Sequence, residues 1–245
     1  DAREVGGGPQ GRLVALTPLT AADAATLFRW VNNRGEVLLN RPYPPVSERQ
    51  HMQWFDGIQQ QRDVVIFGIR LLTDGRLIGS CQLHGIHPVH RSAELQIRIG
   101  EAGERGRGHG TEAVTLLVDF AFRDLNLRRV ALHVLATNER ALKMYERIAF
   151  VREGVLREAA HVDGEYVDVV VLAVGVADED VRCIFVAQSG QVAPGSLVPL
   201  VVRQALPRTE AEDGVKDGLS EPIPGDLVHL MGDLGWALMR AKGAA

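Results

Sequence analysis

Residues 92–122 read SAELQIRIGEAGERGRGHGTEAVTLLVDFAF, and the periodicity of the chain changes inside them. Ala93, Leu95, Ile97 and Ile99 alternate with Ser92, Glu94, Gln96 and Arg98, which is the two-residue period of a half-buried strand. Further on, Ala113, Val114, Leu117, Phe120 and Ala121 recur at helical spacing, with Glu112, Asp119 and Arg123 off that stripe. Between strand and helix lies Arg105-Gly106-Arg107-Gly108-His109-Gly110. Its glycines let the main chain turn sharply and come close to a ligand. A turn of bare backbone N–H groups at a helix N-terminus, flanked by two arginines, is suited to a phosphate or pyrophosphate.

Two nucleotide loops compete for this reading. A P-loop needs Lys and then Ser or Thr straight after its last glycine, whereas Gly108 is followed by His109 and Gly110. Gly108, Gly110 and Ala113 do spell the GxGxxA of a dinucleotide fingerprint. That fingerprint should directly follow the first strand of a βαβ unit, and here several antiparallel strands and a linker come first.

Arg105 to Gly110 also fits the RxxGxG form of the acyl-CoA loop of the GNAT N-acyltransferase superfamily, and NERALKMY, residues 138–145, resembles that superfamily's next block. With AFRDLNLRRVALHV, VREGVLRE and DGEYVDVVVLAV in the same order, residues 12–174 resemble the branch that includes the ribosomal-protein N-terminal acetyltransferases. The resemblance implies an α+β domain with a mixed, mostly antiparallel sheet flanked by helices. It also implies acetyl-CoA, or another acyl-CoA, as co-substrate, and a primary amine of a small molecule, amino sugar or protein N-terminus as acceptor.

The same resemblance assigns residues. Ile97 and Ile99 of the central strand, Arg105, Gly106, Arg107, Gly108, His109, Gly110 and Thr111 of the loop, and Asn138 and Ala141 would hold the cofactor. Asn138, Ala141 and Tyr145 share one helix face: Ala141 would let a pantetheine arm pass, Asn138 bond an amide, and Tyr145 protonate the departing thiolate. Glu94 becomes the candidate general base; Glu94, Gln96 and Arg98 also read as the polar face of a strand. An α-amine with a pKa near 8 costs only ~1.4 kcal/mol to deprotonate at pH 7, against ~4.6 kcal/mol for a lysine, so a modest base suffices. Arg41, Tyr43 and Asp168 are placed by position as acceptor contacts, while Trp54 and Phe55 read as core. An acyl-CoA-binding sensor or scaffold, or another acyl-CoA reaction on the same fold, are the alternatives.

The 245 residues are 46% hydrophobic, enough for a full core in one or two domains. No run reaches the ~18 apolar residues of a membrane helix and DAREVGGGPQG has no signal-peptide core, so the expectation is a cytoplasmic protein without a membrane partner. Cys81 and Cys183 have no ligand-like spacing, and no carboxylate or cysteine completes a set with His84, His87 and His90, which read as an exposed turn; no metal is expected. The formal charge of −4 is concentrated in the acids of residues 207–226, leaving a neutral body that argues against nucleic acid.

In chain order, residues 1–11 are a Gly-rich lead-in. A strand over 12–17 precedes a helix bearing Ala24, Leu27, Phe28 and Val31, and 32–45 read as a loop. Ser47 with Gln50 opens a helix to about 60, and strands 64–72 and 76–86 flank Thr73-Asp74-Gly75. After the central stretch come a strand over 129–136, a helix capped by Asn138, and a hairpin of 150–157 with 165–174. The family usually has glycine where Ala149 stands, so that helix ends in a different turn or holds an alanine in the left-handed region at ~1 kcal/mol. Residues 175–245 form a C-terminal extension of unknown fold. An acidic linker there leads to a helix in which Leu227, Leu230, Met231, Leu234 and Leu238 share a face, to be covered by the chain's own domain, by another protein, or by a second copy in a homodimer.

Overall fold

The strand read from residues 92–99 lies in the middle of a seven-stranded sheet, seen in a computed structural model that describes residues 8–176. In chain order the strands are β1 (Val14–Pro18), β2 (Val65–Leu71), β3 (Leu77–His87), β4 (Ser92–Ile99), β5 (Arg129–Leu135), β6 (Val151–Val162) and β7 (Glu165–Gly175). The helices are α1 (Ala24–Val31), α2 (Arg34–Val37), α3 (Glu48–Ile58), α4 (His109–Arg123) and α5 (Glu139–Arg147). The sheet order is β1-β2-β3-β4-β5-β7-β6, and all neighbours are antiparallel except β4 with β5. The expected α+β layout, with a mixed and mostly antiparallel sheet, is the one observed.

Strand alternation gives the sheet two apolar faces. On one, Ile69, Leu95 and Leu132 pack with Ala113, Val114 and Leu117 of α4 and with Leu142 and Tyr145 of α5. On the other, Ile66 and Leu77 meet Leu27 and Trp30 of α1 and Trp54 and Phe55 of α3, so both aromatic residues of α3 are core as expected. Trp30 is seated against the end of β4: a Cβ on Gly100 would fall 2.0 Å from the indole ring, so only glycine fits there. Cys81 is buried, and burial raises its thiol pKa, as suits a packing residue.

The feature that positions the site is a separation of strands. β4 and β5 pair only from Ser92 with Arg129 to Glu94 with Ala131, although both continue beyond. Past that point a wedge opens in the sheet. The Gly100 N–H returns to the Ile78 carbonyl on the β3 side. Alternation along the strand therefore turns the N–H groups of Ile97 and Ile99 toward the wedge, where β5 no longer meets them.

Elsewhere the structure refines or corrects the expected elements. The first strand begins at Val14, not at residue 12, because the Glu112 carboxylate accepts the N–H groups of Arg12, Leu13 and Val14 at 2.8, 2.7 and 2.8 Å. The loop over 32–45 contains one helical turn, α2. Ser47 and Gln50 form the expected capping box on α3. The last hairpin is longer than read, since β6 runs on to Val162 through register shifts between Arg152 and Gly154 and between Leu156 and Ala160. No described helix is long and apolar enough to cross a membrane. The acidic linker and terminal helix expected beyond residue 176 lie outside the described residues, as does Cys183.

Candidate functional site

The wedge, the glycine loop and the face of α5 surround one cavity of 1420 Å³. Gly106 and Gly108 have φ of 81° and 90°, a region side-chain-bearing residues rarely occupy, which explains two glycines in the turn. The Gly108 carbonyl accepts the first helical bond, from Glu112 at 3.0 Å. The N–H groups of His109, Gly110 and Thr111 consequently have no partner inside α4 and sit at the positive end of its dipole. Gly106, Gly108, Gly110 and Thr111 line the cavity, as do Ile97 and Ile99.

The loop is anchored from beneath by a buried carboxylate. Glu104 binds Arg76 at 2.6 Å and lies 3.3 Å from Arg107 and 3.5 Å from His109. The hydrogen bond from Arg76, ahead of the neighbouring charges, holds Glu104 below the usual carboxylate range. No motif marks Glu104 in the sequence, because its partners converge from the turn between β2 and β3 and from the loop it supports.

Tyr145 lines the cavity from α5, and its hydroxyl has no hydrogen-bond partner among the described residues. Burial raises its phenol pKa, so the proton stays on. Two backbone bonds close the helix below it: Ala149 N–H to Glu146 carbonyl at 3.2 Å, and Phe150 N–H to Tyr145 carbonyl at 3.1 Å. This is a Schellman ending, with Phe150 set edge-on to the Tyr145 ring at 5.5 Å. Ala149 accordingly adopts φ 69°, the strained alternative of the two endings expected.

Glu94 occupies the closed end of the wedge and does not line the cavity. Its Oε2 is 3.5 Å from His133 Nδ1 and 3.9 Å from His84 Nε2. The His133 contact, outweighing burial, keeps Glu94 below its ordinary value. His84 is not part of an exposed turn: it stands on β3, its side chain 12% exposed and Nε2 buried without a hydrogen-bond partner. Burial holds its imidazole in the neutral form.

Several predicted contacts are occupied otherwise. Arg105 lines the cavity, but its guanidinium donates to the Ile99 carbonyl at 3.0 and 2.8 Å and sits 2.7 Å from Glu36, so it ties β4 to α2. His109 is buried, its Nδ1 3.2 Å from the Glu104 carbonyl. Arg107 extends outward, its side chain 65% exposed. Asn138 caps α5 through the Ala141 N–H and donates to the Leu39 carbonyl, both at 3.1 Å, and the two residues line the cavity with Tyr145. The three acceptor contacts are not brought together. Tyr43 donates to the Asn32 carbonyl at 3.2 Å, Asp168 accepts from the Glu158 N–H at 2.8 Å in the β6 bulge, and Arg41 stands near Arg98.

Two cavity residues were not foreseen in their roles. The Arg140 guanidinium reaches within 3.0 Å of where a Cβ on Gly106 would stand, with no carboxylate partner among the described residues. Its contact with the loop comes from the docking of α5, which no local pattern announces. Arg98 lines the cavity from β4. Among the described residues no group of three or more His, Cys, Asp or Glu side chains could hold a metal.

Comparisons with known proteins agree with this architecture. Residues 13–151 match the family model described as an acetyltransferase (GNAT) domain. Spermidine N(1)-acetyltransferase of Vibrio cholerae is 40% identical over 93 residues, covering 38% of this chain and 53% of that protein. The putative ribosomal N-acetyltransferase YdaF of Bacillus subtilis is 39% identical over 100 residues, 41% of this chain and 54% of its own length. The chain thus spans about half the length of these two relatives. The probable N-acetyltransferase YjcK of Bacillus subtilis is 35% identical over 181 residues, 70% of this chain and 98% of its own. A crystal structure of the Vibrio cholerae spermidine enzyme in complex with CoA and spermine superposes with TM-score 0.61 and 29% identity, covering 66% of this chain and 95% of that one.

Proposed function

The chain belongs to the GNAT acetyltransferase family, and from that premise we propose that it moves an acetyl group from acetyl-CoA to a primary amine by direct attack. The observation that carries the reading is the wedge, which offers the N–H groups of Ile97 and Ile99 on one side and Tyr145 on the other, with the anion-binding turn at its mouth. Pyrophosphate would lie on the N–H groups of residues 109–111 beside Arg140, and the pantetheine arm would run along β4 past Ala141.

In the reaction the neutral amine nitrogen bonds to the thioester carbonyl carbon. Charge gathers on the carbonyl oxygen, where backbone N–H groups of β4 stabilise it. The C–S bond then breaks, the sulfur takes the Tyr145 proton, and the nitrogen gives up its own to Glu94 through water. A small-molecule amine or a peptide N-terminus meets these requirements. We further propose a cytoplasmic setting and a homodimer.

The test is thiol release from acetyl-CoA with a panel of amines, alongside calorimetric titration of CoA. Gly108→Val, which forces a β-branched residue into a left-handed φ, should abolish CoA binding in a folded protein. Unchanged affinity would remove the loop from the site.

A further inference from the structure

We propose that Arg41 and Arg98 form a seat for an anionic group of the acceptor, so that the amine acetylated here belongs to an amino carboxylate rather than to a polyamine. This rests on the acetyl-transfer reading above and narrows its acceptor. Arg98 lines the cavity from β4, and Arg41 follows Leu39 and Asn40, which line it from the segment after α2. Both arginines are partly buried, and neither guanidinium has a hydrogen bond or an ion pair among the described residues. The acid that acts on Arg98, Glu36, is paired with Arg105 at 2.7 Å.

Half-buried guanidinium groups without carboxylates are an arrangement that costs stability unless something negative completes it. Burial first, and then the charge of Arg41, outweigh the opposing charge of Glu36 and lower the Arg98 pKa to about 10. A planar, forked donor of this kind matches a carboxylate in bidentate fashion.

The position of Arg98 separates this anion from the phosphates of the cofactor. Leu95, Ile97 and Ile99 pack with the core that contains α4 and α5, so Arg98 projects from the opposite face of β4, together with Glu94 and Gln96. The phosphate turn lies at the N-terminus of α4 and has its own cation in Arg140. On the Arg98 face the cations Arg41 and Arg98 and the imidazoles of His84 and His133 stand against Glu94, with Asp63 acting on His84 and Glu36 paired with Arg105. A polyamine would bring further positive charge onto that surface.

The experiment uses the full chain and matched acceptors: glycine through 6-aminohexanoate, each beside its own amide, with spermidine as the polycation. Thiol release from acetyl-CoA is measured for each, and the same compounds are titrated calorimetrically into the chain saturated with CoA. The acids are expected to be preferred over their amides and over spermidine by about tenfold or more, the usual weight of a charge-assisted hydrogen bond. Arg98→Gln and Arg41→Gln should raise KM for the preferred acid by a similar factor while KM for acetyl-CoA stays within about twofold.

Turnover that favours amides or spermidine overturns the anion seat and leaves acetyl transfer standing. A rise in KM for acetyl-CoA in the two variants would assign the arginines to the cofactor phosphates, which also overturns it. Absence of turnover with every amine counts against acetyl transfer itself. In that case the seat still falls if calorimetry shows no preference for the acids.

Discussion

Tyr145 combines a ring fixed on Phe150 with a hydroxyl that reaches the cavity and has no hydrogen-bond partner among the described residues. The burial that raises its pKa also disfavours a thiolate in the same place, so donor and leaving group remain comparable proton acceptors. Tyr145→Phe is expected to lower kcat by about a hundredfold while KM for acetyl-CoA changes little, since a leaving-group acid acts only as the C–S bond breaks. Equal loss of binding and turnover would make it a packing residue instead. Glu94 predicts a pH profile. Because its carboxylate is held below its ordinary value, it is ionised throughout the neutral range, and a limb of kcat/KM near neutrality belongs to another group. Glu94→Gln should lower the profile without moving that midpoint; a moved midpoint would give the limb to Glu94. The spacing of Asn138, Ala141 and Tyr145 was readable in sequence because a helix face is a local property. The duties of Arg105 and His109 were not, since Glu36 comes from a remote segment and the inward turn of His109 depends on packing.

The ending of α5 makes its own prediction at the scale of the element. Its two closing bonds require a left-handed residue at position 149, and alanine holds that conformation under strain. Ala149→Gly should relieve about 1–2 kcal/mol of strain and lose part of it to chain entropy, for a net gain of about 0.5–1 kcal/mol in urea denaturation. A net loss would mean that the alanine methyl, which packs on the main core, matters more than its backbone. The sequence posed this choice without deciding it: the missing glycine was visible, but the hydrogen bonds that impose the turn are tertiary. The opposite case is α4. Its loop, N-terminus and buried stripe were all legible, because they depend on φ and on helical period alone. What escaped was Glu112, whose place off the apolar stripe gave no hint that it gathers the N–H groups leading into β1.

For the molecule as a whole, the order of elements could be read but the parallel contact of β4 with β5 could not, because long-range pairing leaves no local trace. The terminal helix expected over residues 226–238 has five large apolar residues on one face, and covering them is worth several kcal/mol at ~1.5 kcal/mol or more per leucine. Truncation after Ala177 should therefore reduce the mass of the particle in solution from dimer to monomer, read by light scattering. A full-length chain already monomeric at micromolar concentration would exclude the dimer. The wedge also gives the sheet an unfinished seam at its centre. The side chains of Ile97 and Ile99 pack against the main core, yet their N–H groups lack the strand that would shield them. In heavy water they should trade hydrogen for deuterium far sooner than their neighbours at Gln96 and Arg98, which β3 holds. An occupant of the wedge acts there as the absent strand, so the slowest-exchanging core of this protein is complete only while its ligand is in place.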